Sequence, residues 1–98
     1  MDYKYGLRSI NEKDRWIYIS CDDDMVAEEP DAFFYLVNTI QKDAGGDVVS
    51  VGWYQYKISG DKLELVYQWD GVFGITIIYP LDVTKEQVVA FLSKYMCL

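Results

Sequence analysis

The chain has 98 residues, 51% of them hydrophobic and 16% aromatic, with sixteen acids against nine bases, a net charge of −7 and no histidine. That length fits one domain around one core, and the apolar content excludes a disordered chain. The acidic balance disfavours nucleic acid and anionic membrane surfaces, which bind through cations, and the absence of histidine removes the usual proton shuttle near neutral pH and the commonest metal ligand.

The N-terminal Met1-Asp2-Tyr3-Lys4-Tyr5-Gly6 lacks the basic and apolar regions of a signal peptide, and no apolar run approaches a membrane span. A cytoplasmic location is therefore expected. The two cysteines, Cys21 and Cys97, form no Cys-x-x-Cys pair, so zinc and dithiol chemistry lack support and reduced thiols are expected. A bridge between them stays open, because their separation in the fold is not given by the sequence.

In chain order, the opening third reads as two strands over residues 3–10 and 15–21, joined by the polar Asn11, Glu12 and Lys13. In the second strand Trp16, Tyr18 and Ser20 alternate with Ile17, Ile19 and Cys21, and large residues on both sides place it well inside a sheet. Pro30 suits the first position of a helix, where its missing N–H costs nothing, and Asp31 favours the helix dipole. Phe33, Leu36, Val37 and Ile40 then follow the spacing of one buried stripe, Lys42 complements the C-terminal end, and Gly45 with Gly46 supplies a left-handed cap.

Three more strands are expected over residues 48–58, 62–69 and 72–79, turning at Ser59, Gly60 and Asp61 and again at Asp70 and Gly71. The first of these would point Trp53 to one side and Tyr54 and Tyr56 to the other. In the middle one Leu63, Leu65, Tyr67 and Trp69 share a face opposite Lys62, Glu64, Val66 and Gln68. The Asp-Gly pair between two such runs is a hairpin signal for a type I′ turn. Pro80 ends the last strand, and Thr84-Lys85-Glu86-Gln87 forms a capping box, with Val83 and Val88 as its hydrophobic staple. Val88, Phe91, Leu92 and Tyr95 give a final helix its stripe, running to the chain end. The expected fold is a single α+β domain over residues 1–98, of order ββαβββα, with a five-stranded, mainly antiparallel sheet and both helices on one face.

The charge is not spread evenly. Six carboxylates, Asp22, Asp23, Asp24, Glu28, Glu29 and Asp31, lie in residues 22–31 with no Lys or Arg among them, while the other ten acids face nine bases. Hard cations take oxygen ligands, but three consecutive aspartates diverge and no glycine follows, so the spacing fails the EF-hand pattern and no metal or cofactor is expected. A solvated acidic loop entering a helix N-terminus is the plainest account of such a run. Catalysis is not expected either: Ser20 and Cys21 lack a histidine base, and a carboxylate pair needs a cleft that one small sheet does not supply.

If both helices cover one sheet face, some of Trp16, Tyr18, Trp53, Tyr54, Tyr56, Tyr67 and Trp69 are left on the other, as interface anchors or as cross-strand pairs inside the fold. A Trp-Tyr strand, a short turn, a second aromatic-rich strand, an Asp-Gly turn and a closing amphipathic helix, in a small acidic chain, resemble the immunity proteins of bacterial contact-dependent growth inhibition and polymorphic toxin systems. The resemblance implies a cytoplasmic inhibitor that covers the active site of one cationic toxin domain, often a nuclease. The residues expected to meet such a partner come from the chain's own pattern: Asp22, Asp23, Asp24, Met25, Glu28, Glu29, Asp31, Trp53, Tyr54 and Tyr56. Three other classes remain: an acidic homodimeric adaptor with no inhibitory role, a phage-type nucleic-acid mimic, which would spread its carboxylates in rows rather than concentrate them, and a small divalent-ion binder. The protein itself is expected to be a monomer or a weak homodimer.

Overall fold

In the computed structural model, which describes residues 4–21, 31–60, 63–71 and 74–96, the hydrophobic alternation builds one antiparallel sheet and the two amphipathic stripes close over it. The elements are β1 (Tyr5–Asn11), β2 (Trp16–Cys21), α1 (Asp31–Ala44), β3 (Asp47–Gly52), β4 (Gln55–Gly60), β5 (Leu63–Asp70), β6 (Gly74–Ile78) and α2 (Lys85–Leu92). The six strands lie in the order β1-β2-β6-β5-β4-β3, so β2 is interior, as its two-sided bulk requires, and β1 and β3 are the edges. No helix among the described residues is long and apolar enough to cross a membrane.

Alternation decides which side chains are buried. Ile17 and Ile19 of β2, Ile75 and Ile77 of β6, Leu65 and Tyr67 of β5 and Ile58 of β4 face one way, and each is at most 2% exposed. Phe33, Leu36, Val37 and Ile40 of α1 and Val88, Phe91 and Leu92 of α2 enter the same core, so the expected stripes are the ones buried. Tyr95, placed just after α2, ties the two helices together by donating from its hydroxyl to the Asp43 carboxylate at 2.7 Å. The helix ends follow their signals. Gly45 N–H donates to the Gln41 carbonyl at 2.9 Å, and the capping box at Thr84 is complete in both directions, with Val83 packed against the core and Val88 buried in it.

Three expectations need correction. The run 48–58 is two strands, making six among the described residues: β3 turns into β4 at Trp53 and Tyr54, with Gly52 paired to Gln55. The sequence hides this turn because it carries no Asn-Gly or Asp-Gly signal, and a β-branched and aromatic run favours a strand. Tyr54 adopts φ +52°, a left-handed conformation costing about 1–2 kcal/mol in a residue with a Cβ. Its packing and its carbonyl, which accepts from Trp69 N–H at 3.0 Å, hold it there. The Asp70-Gly71 turn also differs, since Asp70 pairs with Gly74, which takes a positive φ. Finally, α2 stops at Leu92 instead of running on, with Ser93 as its C-cap.

Burial of Tyr67, 1% exposed, holds its hydroxyl far above the usual tyrosine range, and Tyr95 adds to the effect. In the folded state the phenol keeps its proton where the unfolded chain has lost it. The stability this gives is therefore fully present below about pH 10 and falls above it by about 1.4 kcal/mol per pH unit. Unfolding free energies from urea titrations should hold from pH 8 to about 10 and fall along that slope from there to pH 11, and Tyr67→Phe should flatten the fall.

Candidate protein-binding site

Strand direction brings one end of the sheet together from residues distant in the chain. Cys21 closes β2, Asp70 closes β5, and the β3–β4 tip lies beside them, because Gln55 pairs with Gln68 and Tyr54 with the backbone of Trp69. The first turn of α1 packs onto the same end. The Phe34 ring stands 5.9 Å from Tyr54 and 6.1 Å from Tyr56, and Phe33 stands 6.0 Å from Tyr56. Trp69 completes the cluster edge-on to Tyr54 at 5.1 Å. Such offset and edge-to-face pairs add about 0.5–1.5 kcal/mol each beyond area burial, enough to offset the backbone strain at Tyr54.

The cluster holds up an exposed tip. Trp53 is 92% exposed, at the apex of the turn and next to the half-open Tyr54. Gly52 permits this geometry, since a Cβ there would collide with the Gln55 side chain, which Gln68 fixes through a 2.6 Å hydrogen bond between the two amides. Every residue of β3 is exposed, Val49 and Val51 by about half. A free edge with so much apolar surface offers main-chain hydrogen bonds and side-chain contact together.

Asp31 is exposed on the first turn of α1, three positions before Phe34, so a carboxylate and the aromatic tip belong to one end of the domain. The rest of the acidic run, Asp22, Asp23, Asp24, Met25, Glu28 and Glu29, lies outside the described residues, but its two flanks are fixed. Cys21 and Ala32 are both 5% exposed. Tyr5 joins them, pairing with Cys21 in the β1–β2 ladder and donating its hydroxyl to the Ala32 carbonyl at 2.6 Å. Among the described residues no three metal-ligating side chains come together.

Of the aromatic residues singled out in the sequence, Trp53 and Tyr54 are on the tip rather than on opposite strand faces, and Tyr56 is half-buried beneath it. Tyr67 belongs to the core, Trp69 supports the tip, and Trp16 and Tyr18 lie half-buried on the face away from the helices, 6.1 Å apart, with Arg8 over the Tyr18 ring. Phe34, Asp70 and Val51 join the site without having been anticipated. Phe34 was legible in principle, as an aromatic residue one position off the buried stripe of α1. What these features define is a small acidic α+β domain presenting an aromatic tip and a bare sheet edge beside a carboxylate-bearing helix start. No family model, curated protein or solved structure matches the chain.

Proposed function

We propose that the protein is a small acidic inhibitor that binds a cationic protein domain, in the manner of an immunity protein covering the active site of a cognate toxin nuclease. The observation carrying this reading is the 92% exposed Trp53 held on a rigid aromatic cluster at the end of the domain where Asp31 starts α1. Division of labour follows from the physics. Carboxylates spaced within about one Debye length, ~8 Å at physiological salt, act together on an approaching cationic cleft and raise the on-rate toward about 10⁸–10⁹ M⁻¹s⁻¹ at low salt. The off-rate is governed by desolvated anchors, the role Trp53 and Tyr54 are built for.

Neutralising Asp22, Asp23, Asp24 and Asp31 to Asn and Glu28 and Glu29 to Gln should lower the on-rate at least tenfold at low salt and flatten its salt dependence. Stopped-flow association with a cationic nuclease domain is the measurement. Unchanged association kinetics would take the acidic run out of the interface, and no binding would reject the cognate pair. The adaptor reading draws on one observation of its own, the exposed β3 edge with Val49 and Val51 uncovered. It requires a dimer by sedimentation at micromolar concentration that Val49→Lys abolishes.

A further inference from the structure

The far end of the domain holds a groove of about 380 Å³ lined by Arg15, Lys57, Glu64, Val66, Ile78, Tyr79 and Pro80. Register explains its shape. Lys57, Val66, Ile78 and Trp16 are cross-strand partners in one row over β4, β5, β6 and β2, so the row spans about 14 Å at the usual strand spacing. Val66 and Ile78 form a half-buried apolar floor on the sheet face away from the helices. Lys57 and Glu64 neutralise each other at one end through a 3.0 Å ion pair.

The other end is different. Arg15 closes the β1–β2 turn at φ +59°, a conformation an arginine adopts at a cost, and Tyr79 N–H holds its carbonyl at 3.1 Å. Its Nε is buried and has no hydrogen-bond partner among the described residues. Arg15 still lines the groove as a whole, and a carboxylate matches the fork geometry of a guanidinium.

We infer that this groove binds a medium-chain alkyl carboxylate, with its carboxylate on the Arg15 guanidinium and its hydrocarbon across Ile78 and Val66. The floor strands decide between a hydrocarbon and a peptide. β4, β5, β6 and β2 are all interior to the sheet, so their main-chain donors and acceptors are taken by the ladders, and a peptide's amides would find none. A volume of this size is at the small end of ligand sites and suits one short chain.

Titration with octanoate below its micelle concentration, read by calorimetry and by amide shifts in NMR spectra, tests the site. Saturable binding that moves Val66, Ile78 and Tyr79 is expected, at least tenfold tighter than for octanol or octylamine. Arg15→Gln should weaken octanoate ten- to a hundredfold. Arg15→Gly should do the same while melting no lower than the parent, because it relieves the left-handed backbone and so separates loss of the ligand from loss of the fold. Trp53→Ala, at the opposite end, should leave octanoate affinity unchanged. Equal binding of octanol and octanoate, undiminished affinity in either Arg15 variant, or no saturable heat with octanoate would each overturn the inference.

Discussion

Phe33→Ala is expected to remove about 3–5 kcal/mol of folding stability, the usual cost of deleting a fully buried phenyl ring together with the cavity it leaves. Phe33 is 0% exposed and stands between two other rings, Phe34 at 5.5 Å and Tyr56 at 6.0 Å, so there is little room for neighbours to collapse into its place. A domain of this size has only about 5–15 kcal/mol in all, so the variant should have a sharply lower urea midpoint with an unchanged slope. Position makes the effect more than a core deletion. Phe33 is on the first helical turns that seat α1 against β4, and Tyr56 is the ring under the exposed tip. Phe33→Leu keeps most of the volume and should cost about 1 kcal/mol, while Leu36→Ala, one turn further along the stripe, should cost about 2–5 kcal/mol without disturbing Tyr56. Ring-proton shifts of Tyr54 and Tyr56 distinguish the two: they should move in Phe33→Leu and stay in place in Leu36→Ala.

Helices were legible in the chain because their evidence is local. The stripe Phe33, Leu36, Val37 and Ile40 and the reciprocal bonds of Thr84 and Gln87 depend on spacing alone, and both survive in the structure. The alternation of β2 and β5 survives for the same reason. The β3–β4 turn was not legible, because what stabilises it is tertiary: Trp69 and Phe34, far away in sequence, hold Tyr54 in a conformation its own preferences disfavour. Losing that turn in the reading also misplaced Trp53, which alternation assigns to a strand face and the fold assigns to an apex. The acidic run was plain in the composition, yet nothing in the sequence tied it to the aromatics. The tie comes from α1, whose Asp31 ends the run and whose Phe34 touches Tyr54 and Tyr56. Arg15 was invisible as a site residue, since an arginine opening a strand is ordinary until its Nε is found buried with no partner among the described residues.

Trp53→Ala should leave the domain as stable as before, within about 0.5 kcal/mol, because a side chain 92% exposed contributes almost no burial to the fold. Its effect on binding should be the opposite. A large aromatic ring held on a preformed support loses little entropy on docking and buries on the order of 150–250 Å² when a partner covers it, which makes it the natural anchor of this surface. Truncation of such an anchor costs about 2–4 kcal/mol, equivalent to roughly 30- to 1000-fold in affinity, and falls mainly on the off-rate. Neutralising the acidic run should leave the off-rate largely intact, so the two variants separate attraction from retention in one experiment. Fluorescence reports the event directly: Trp53 emission should shift to the blue on complex formation, while Trp16 and Trp69, already half-buried, change less. If Trp53→Ala bound the proposed cationic partner as tightly as the parent, the tip would be ruled out as an anchor and the exposed β3 edge would be left as the principal apolar contact.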